Sequence, residues 1–192
     1  MSDGSIRRVR LIILGGPGSG KGTQLAVIQK PLGIVGISVG DILREAIANN
    51  TFLGTKAKPY VEKGELVPDD LMVQLIRLGL LQPHLDSGWI LEGYPRTTVQ
   101  AEELDFVLDD FHHRVDYALY LKVSEALMLE RSLGRSRPDD TPEILHRRLK
   151  HFREQIPPIL EYYGSRGKLL PLDGTAAPEV ITQQILHHLG GE

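Results

Sequence analysis

The chain has no cysteine among its 192 residues, which excludes disulfides and any thiolate metal site. That is compatible with a reducing compartment. It also lacks a basic excess: its net charge is −3, whereas dedicated nucleic-acid binders are usually strongly basic. No apolar run approaches the roughly 20 residues of a membrane span. Met1 to Arg8 is short and polar, without the apolar core of a signal peptide. There are no internal repeats and no low-complexity segments. The expectation is one domain over residues 1–192, monomeric, with neither membrane nor nucleic acid as partner. A cytoplasmic address is expected, with an organellar one after transit-peptide removal left open.

What the chain does have is a glycine-rich turn, Gly15-Gly16-Pro17-Gly18-Ser19-Gly20-Lys21-Gly22-Thr23. It follows the apolar run Val9–Leu14 and opens onto the helical pattern Gln24-Leu25-Ala26-Val27-Ile28. Strand, glycine turn and helix start together make a phosphate cradle: backbone N–H groups point inward and the helix N-terminus adds partial positive charge. Lys21 can reach the outer phosphates. The common pattern places a hydroxyl directly after this lysine; here Gly22 takes that place and Thr23 follows. This form is atypical of GTPases and motor ATPases and is the one that nucleoside monophosphate kinases carry. A glycine-rich surface turn is the plainer alternative, and the strand–turn–helix context argues against it.

Short apolar segments predict strands over residues 10–14, 34–38, 89–92, 115–121 and 169–172. Helical patterns cover about 21–30, 41–49, 55–63, 69–82, 99–108, 124–133, 142–163 and 178–189, with Asp41, Asp69 and Ser124 as caps or first-turn acids. This alternation predicts an α/β fold, a parallel doubly wound sheet flanked by helices. Pro157-Pro158 predicts an interruption or kink in the longest helix.

A second constellation is Trp89-Ile90-Leu91-Glu92-Gly93-Tyr94-Pro95-Arg96-Thr97, with Gln100 close behind. An acid at the C-terminal end of a buried strand lies where ligands bind in open α/β sheets. Glu92 can hold waters of a Mg²⁺, Gly93 admits close backbone approach, and Arg96 suits bidentate contact with phosphate. Gln100 can pair with a base edge. Between Arg131 and Arg153 stand six Arg and one Lys against Asp139, Asp140 and Glu143. Arginine suits fork-like phosphate contacts, although a solvated helix accounts for Arg153 and for at least one of Arg147 and Arg148. The seven histidines follow no metal-ligand spacing and read as surface residues.

From about Arg10 to Leu189 the chain resembles the adenylate kinases. Ile37-Ser38-Val39-Gly40-Asp41-Ile42-Leu43-Arg44 resembles the segment that opens the family's monophosphate-binding region, and Gly64-Glu65-Leu66-Val67-Pro68-Asp69 the one that closes it. Arg131, Gly134-Arg135, Arg137-Pro138-Asp139-Asp140 and Arg147-Arg148-Leu149 resemble the lid and the helix after it.

The resemblance implies a P-loop-type five-stranded parallel sheet with a monophosphate-binding segment at 38–67 and a short lid at 134–140. It implies reversible, Mg²⁺-dependent phosphoryl transfer from ATP to AMP, giving two ADP. ATP would be held by Gly18, Ser19, Gly20, Lys21, Gly22, Thr23, Arg131, Arg135 and Thr175. AMP would be held by Val39, Arg44, Glu65, Leu66, Val67, Gly93, Arg96, Gln100, Arg137 and Arg148. Lys21, Arg96, Arg135, Arg137 and Arg148 would be catalytic, Asp139 and Asp140 would help close the lid, and Mg²⁺ would sit through water near Glu92 and Thr23.

Three departures from the family pattern stand out. The lid is too short for the zinc-binding hairpin of long-lid relatives, Glu92 replaces the usual Asp, and Val39 replaces the usual Thr. Val39 keeps open a UMP/CMP kinase as the alternative. A small-metabolite kinase on the same scaffold fits less well with Gln100. A catalytically silent nucleotide-binding regulator is the remaining class, although Lys21, Arg96 and the lid arginines are all retained.

Overall fold

The computed structural model describes residues 8–80, 86, 88–135 and 140–190. Five strands form one parallel sheet: β1 (Arg10–Leu14), β2 (Val35–Ser38), β3 (Trp89–Glu92), β4 (Tyr117–Lys122) and β5 (Leu169–Asp173). Their order is β2-β3-β1-β4-β5. The helices among the described residues are α1 (Lys21–Leu32), α2 (Val39–Ala48), α3 (Phe52–Lys63), α4 (Asp69–Leu80), α5 (Thr98–Asp110), α6 (Glu125–Gly134) and α7 (Pro142–Gly164), with α8 (Pro178–His188) after the last strand.

The apolar strand runs have a simple cause. Successive side chains of a strand face opposite sides, and here both sides are covered. Leu11 and Ile13 pack with Ile28 of α1 and Ile181 and Ile185 of α8. Ile12 and Leu14 share the other layer with Leu43, Leu104 and Tyr163 from α2, α5 and α7. Each such fully buried large side chain contributes about 1.5–3 kcal/mol.

Capping corrects the expected helix starts. Ser38, not Asp41, caps α2: its Oγ accepts the Asp41 N–H at 3.3 Å, so the helix begins two residues early and Asp41 is a first-turn acid. Thr51, Thr97 and Thr141 cap α3, α5 and α7 in the same way. Helix α7 runs through Pro157 and Pro158 without interruption. Both prolines are exposed, as are Arg153 and Glu154 four residues earlier. The carbonyls that lose their N–H partners therefore lie on the solvent side, where water satisfies them.

The register positions the site. Glu92, the last residue of β3, lies between Ile13 of β1 and Ser38 of β2. The glycine turn after β1, the start of α2 and the turn after β3 thus converge above the carboxyl ends of three adjacent strands, where open α/β sheets bind ligands.

Candidate active site

The turn after β1 wraps around Lys21. Gly18 has φ +77°, a conformation that favours glycine, and a Cβ there would collide with the Met128 carbonyl. The Lys21 ammonium donates to the Gly16 carbonyl at 2.7 Å and stands 3.9 Å from Glu92 Oε1. Glu92 Oε2 accepts from Ser38 Oγ at 3.2 Å. Ser38 therefore ties the start of α2 to the carboxylate beside the lysine. A Cβ at Gly22 would meet nothing within 4 Å; the glycine in the usual hydroxyl's place is not demanded by packing.

These groups open into one cleft of about 760 Å³. One end is lined by Gly18 to Thr23, Arg131 and Arg135; the other by Arg44, Glu65, Leu66, Val67, Gly93 and Gln100, with Arg96 and Arg148 also on the wall. Arg131 donates to the Gly174 carbonyl at 2.9 Å. Arg135 Nε donates to Asp140 Oδ2 at 2.7 Å, and Arg148 Nη1 donates to Asp140 Oδ1 at 3.3 Å. The Asp140 side chain, 1% exposed, so holds two arginines of the cleft wall at once.

Arg96 opens onto the cleft, yet protein atoms crowd its guanidinium. That desolvation pulls its pKa below the ordinary arginine value; Glu92 opposes the shift, while the positive charges of Arg148 and Arg44 add to it. An arginine stays charged regardless. Burial is the main cause of the shift, and the nearness of Arg148 and Arg44 makes this end of the cleft suited to an anion. Arg44 is also paired with Asp41 one helical turn away.

Several expected residues behave differently. Val39 is completely buried and does not line the cleft, which is walled there by Ser38, Gly40 and Asp41. Its Cβ packs beside Gly93. Thr175 turns from the cleft to Asp173, donating through Oγ1 at 2.6 Å, while its neighbours Gly174 and Ala176 line the cleft. Arg137 and Asp139, with much of the lid, lie outside the described residues. The histidines are not uniformly superficial: His151 lines the cleft, and His113 is only partly exposed, 3.7 Å from Asp86. Of Arg147 and Arg148, at least one of which was expected to be merely solvated, Arg147 donates to the Lys63 carbonyl at the end of α3 at 2.9 Å and Arg148 pairs with Asp140.

Sequence reading missed Asp69 and Ser38 as partners of Gln100 and Glu92. Ser38-x-x-Asp41 and Thr97-x-x-Gln100 are capping patterns, so a local signal was there for Ser38 and for Gln100 as helix-start residues. The contacts across 31 and 54 residues carried none.

Comparison with known proteins bears on the same elements. The adenylate kinase family model matches residues 13–168, from β1 through the glycine turn, the cleft arginines and α7. The chain belongs to the adenylate kinase family. Among similar proteins, the adenylate kinase 2 of a Nostoc species is 54% identical over 178 residues, covering 93% of this chain and 97% of the relative. The adenylate kinase 2 of a Synechocystis species is 52% identical over 181 residues, covering 94% and 100%. An adenylate kinase of Thermosynechococcus vestitus is 42% identical, covering 95% and 97%. An adenylate kinase of this likeness over nearly its full length is an enzyme, a phosphotransferase that converts ATP and AMP into two ADP.

Proposed function

We propose that the two ends of the cleft divide the labour: the glycine turn, Lys21, Arg131 and Arg135 hold ATP, and Arg44, Arg96, Gln100 and the 65–67 backbone hold AMP. Arg148, and Arg137 from the lid, would bridge the donor and acceptor phosphates. The observation that carries this reading is the meeting of Lys21 and Glu92 with the Arg44–Arg96–Arg148 concentration in one cleft.

The chemistry follows from the inventory. A phosphate monoester has its second pKa at about 6, so the attacking oxygen of AMP is already anionic. No side chain has to create the nucleophile. The arginines and Lys21 align the reactants in line and stabilise the charge that spreads over the transferring phosphoryl group.

The donors present fit Mg²⁺. Glu92 supplies carboxylate oxygen beside Lys21, and the exposed Thr23 supplies a hydroxyl nearby in the turn. Such a hard cation takes oxygen ligands and keeps several waters. Bound with ATP, it would supply further neutralisation of the phosphates. Glu92, itself held by Ser38, would hold such an ion through its waters.

The segments 38–67 and 134–140 close over the nucleotides and exclude water, which would otherwise compete for the phosphoryl group. The protein acts as a monomer in the cytoplasm. The division of the cleft is tested by steady-state kinetics: Arg44→Leu raises KM for AMP about tenfold or more and KM for ATP less than threefold, and Arg131→Leu does the reverse. Equal effects of each variant on both substrates would overturn it.

A further inference from the structure

We infer that Asp69 is a specificity-determining positioning residue, which fixes the amide of Gln100 so that it accepts a 6-amino purine and rejects a 6-oxo purine. The inference rests on the reading of Gln100 as the group that meets the acceptor base.

Gln100 is 1% exposed and lines the cleft. Its Oε1 accepts the backbone N–H of Arg96 at 2.7 Å, and its Nε2 donates to Asp69 Oδ1 at 2.8 Å. Asp69 is the first residue of α4 and does not itself line the cleft. An amide group can usually be turned over, exchanging its donor and acceptor ends, with little change in shape. Here the partners forbid it. A backbone N–H can only donate and an ionised carboxylate can only accept, so only one orientation satisfies both. The reversed amide would set donor against donor at Arg96 and acceptor against acceptor at Asp69.

The two internal bonds leave one N–H and one oxygen lone pair of Gln100 for a ligand. The edge of a 6-amino purine offers an acceptor at ring position 1 and a donor at position 6; a 6-oxo purine offers the reverse. The acceptor phosphate is anchored by arginines of the same cleft, so the base arrives in one direction and cannot turn over to suit the amide. A pinned amide then pairs with the amino form and meets the oxo form with both bonds mismatched. Sites built to hydrogen-bond one edge reject the other because buried polar groups are left unpaired.

The experiment measures kcat, KM for AMP and ATP, and competitive inhibition by inosine monophosphate for the wild type, Asp69→Ala, Asp69→Asn and Gln100→Leu. Asp69→Ala is expected to raise KM for AMP about fivefold to tenfold and to shift the preference for AMP over inosine monophosphate down by a similar factor. Its kcat and KM for ATP should stay within about twofold. Asp69→Asn, whose oxygen can still accept from Gln100, should recover most of the loss. If Asp69→Ala does not fold, Asp69→Ser carries the same expectation: it keeps a helix-start side chain too short to reach the amide. Wild-type KM and preference in the Asp69 variants, with both altered in Gln100→Leu, would overturn the role of Asp69 alone. Both unchanged in Gln100→Leu as well would place the failure in the reading of Gln100.

Discussion

Asp140 holds two arginines proposed to be catalytic, and Asp140→Asn separates its charge from its shape. Both carboxylate oxygens are used: Oδ2 by Arg135 Nε at 2.7 Å, and Oδ1 by Arg135 Nη2 and Arg148 Nη1, each at 3.3 Å. The carboxylate is 1% exposed, while the arginine side chains are 34% and 21% exposed. Breaking a fully buried ion pair typically costs about 3–5 kcal/mol. Solvent reaches both arginines here, and the asparagine oxygen can still accept one bond, so the expected cost is about 2 kcal/mol. For a protein of this size that lowers Tm by about 4–8 °C. The two guanidiniums also lose the counter-charge that, on the proposed division of the cleft, orients them toward the phosphates. We expect kcat to fall about tenfold or more. Thermal unfolding followed by circular dichroism, together with a coupled ADP-formation assay, reads both effects. A Tm within about 1 °C of wild type with unchanged kcat would refute the claim that Asp140 organises the arginines.

Three further outcomes are expected. Glu92→Gln should lower kcat about tenfold or more while changing KM for ATP less than threefold if, as proposed, its charge would serve the waters of a bound Mg²⁺ and not the phosphate cradle; an unchanged kcat would remove Glu92 from the site. Val39→Thr should leave KM for AMP within twofold and cost about 1–2 kcal/mol, because the hydroxyl enters a fully buried position beside Gly93; a lower KM for AMP would show that this position reaches the acceptor. Burial, followed by the Tyr162 hydrogen bond to Asp105 and that residue's charge, raises the Tyr162 phenol from 10.0 to about 12. Because the folded-state pKa is the higher one, its stabilising effect is complete below pH 10 and is lost as pH rises toward 12. Tm should therefore decline across that window, and less steeply in Tyr162→Phe; identical slopes would exclude Tyr162 from the effect.

The parts of this molecule that were legible in the sequence are those encoded locally. All five strands are apolar runs because helices cover both faces of the sheet, and β1 and β3 were bounded to the residue. The glycine turn was legible because its conformation demands particular residues in particular places. Less legible was anything set by partners distant in the chain. Val39, in the same segment as Arg44, reads as a base contact until the packing of α2 against Gly93 buries it. Thr175 reads as a cleft residue until Asp173, two positions away, claims its hydroxyl. The pairing of Gln100 with Asp69 depends on how α4 meets α5, and no spacing rule in the chain expresses that. Even β4 begins two residues later than expected, at Tyr117, where Asp116 instead accepts the Arg10 N–H through its side chain at 2.8 Å.

The most direct measurement is a coupled assay of the purified protein with MgATP against AMP, UMP, CMP and GMP in parallel. The account predicts strong ADP formation with AMP and at least a hundredfold lower kcat/KM for UMP and GMP, because a pinned donor–acceptor edge is worth about 3 kcal/mol or more of discrimination when both bonds are mismatched; CMP, whose amino group and ring nitrogen present the same edge as AMP, is disfavoured only by its smaller ring. Comparable or greater turnover of UMP or GMP would contradict it. The phosphate cradle and its arginines would stand, and the account of the acceptor pocket would fall.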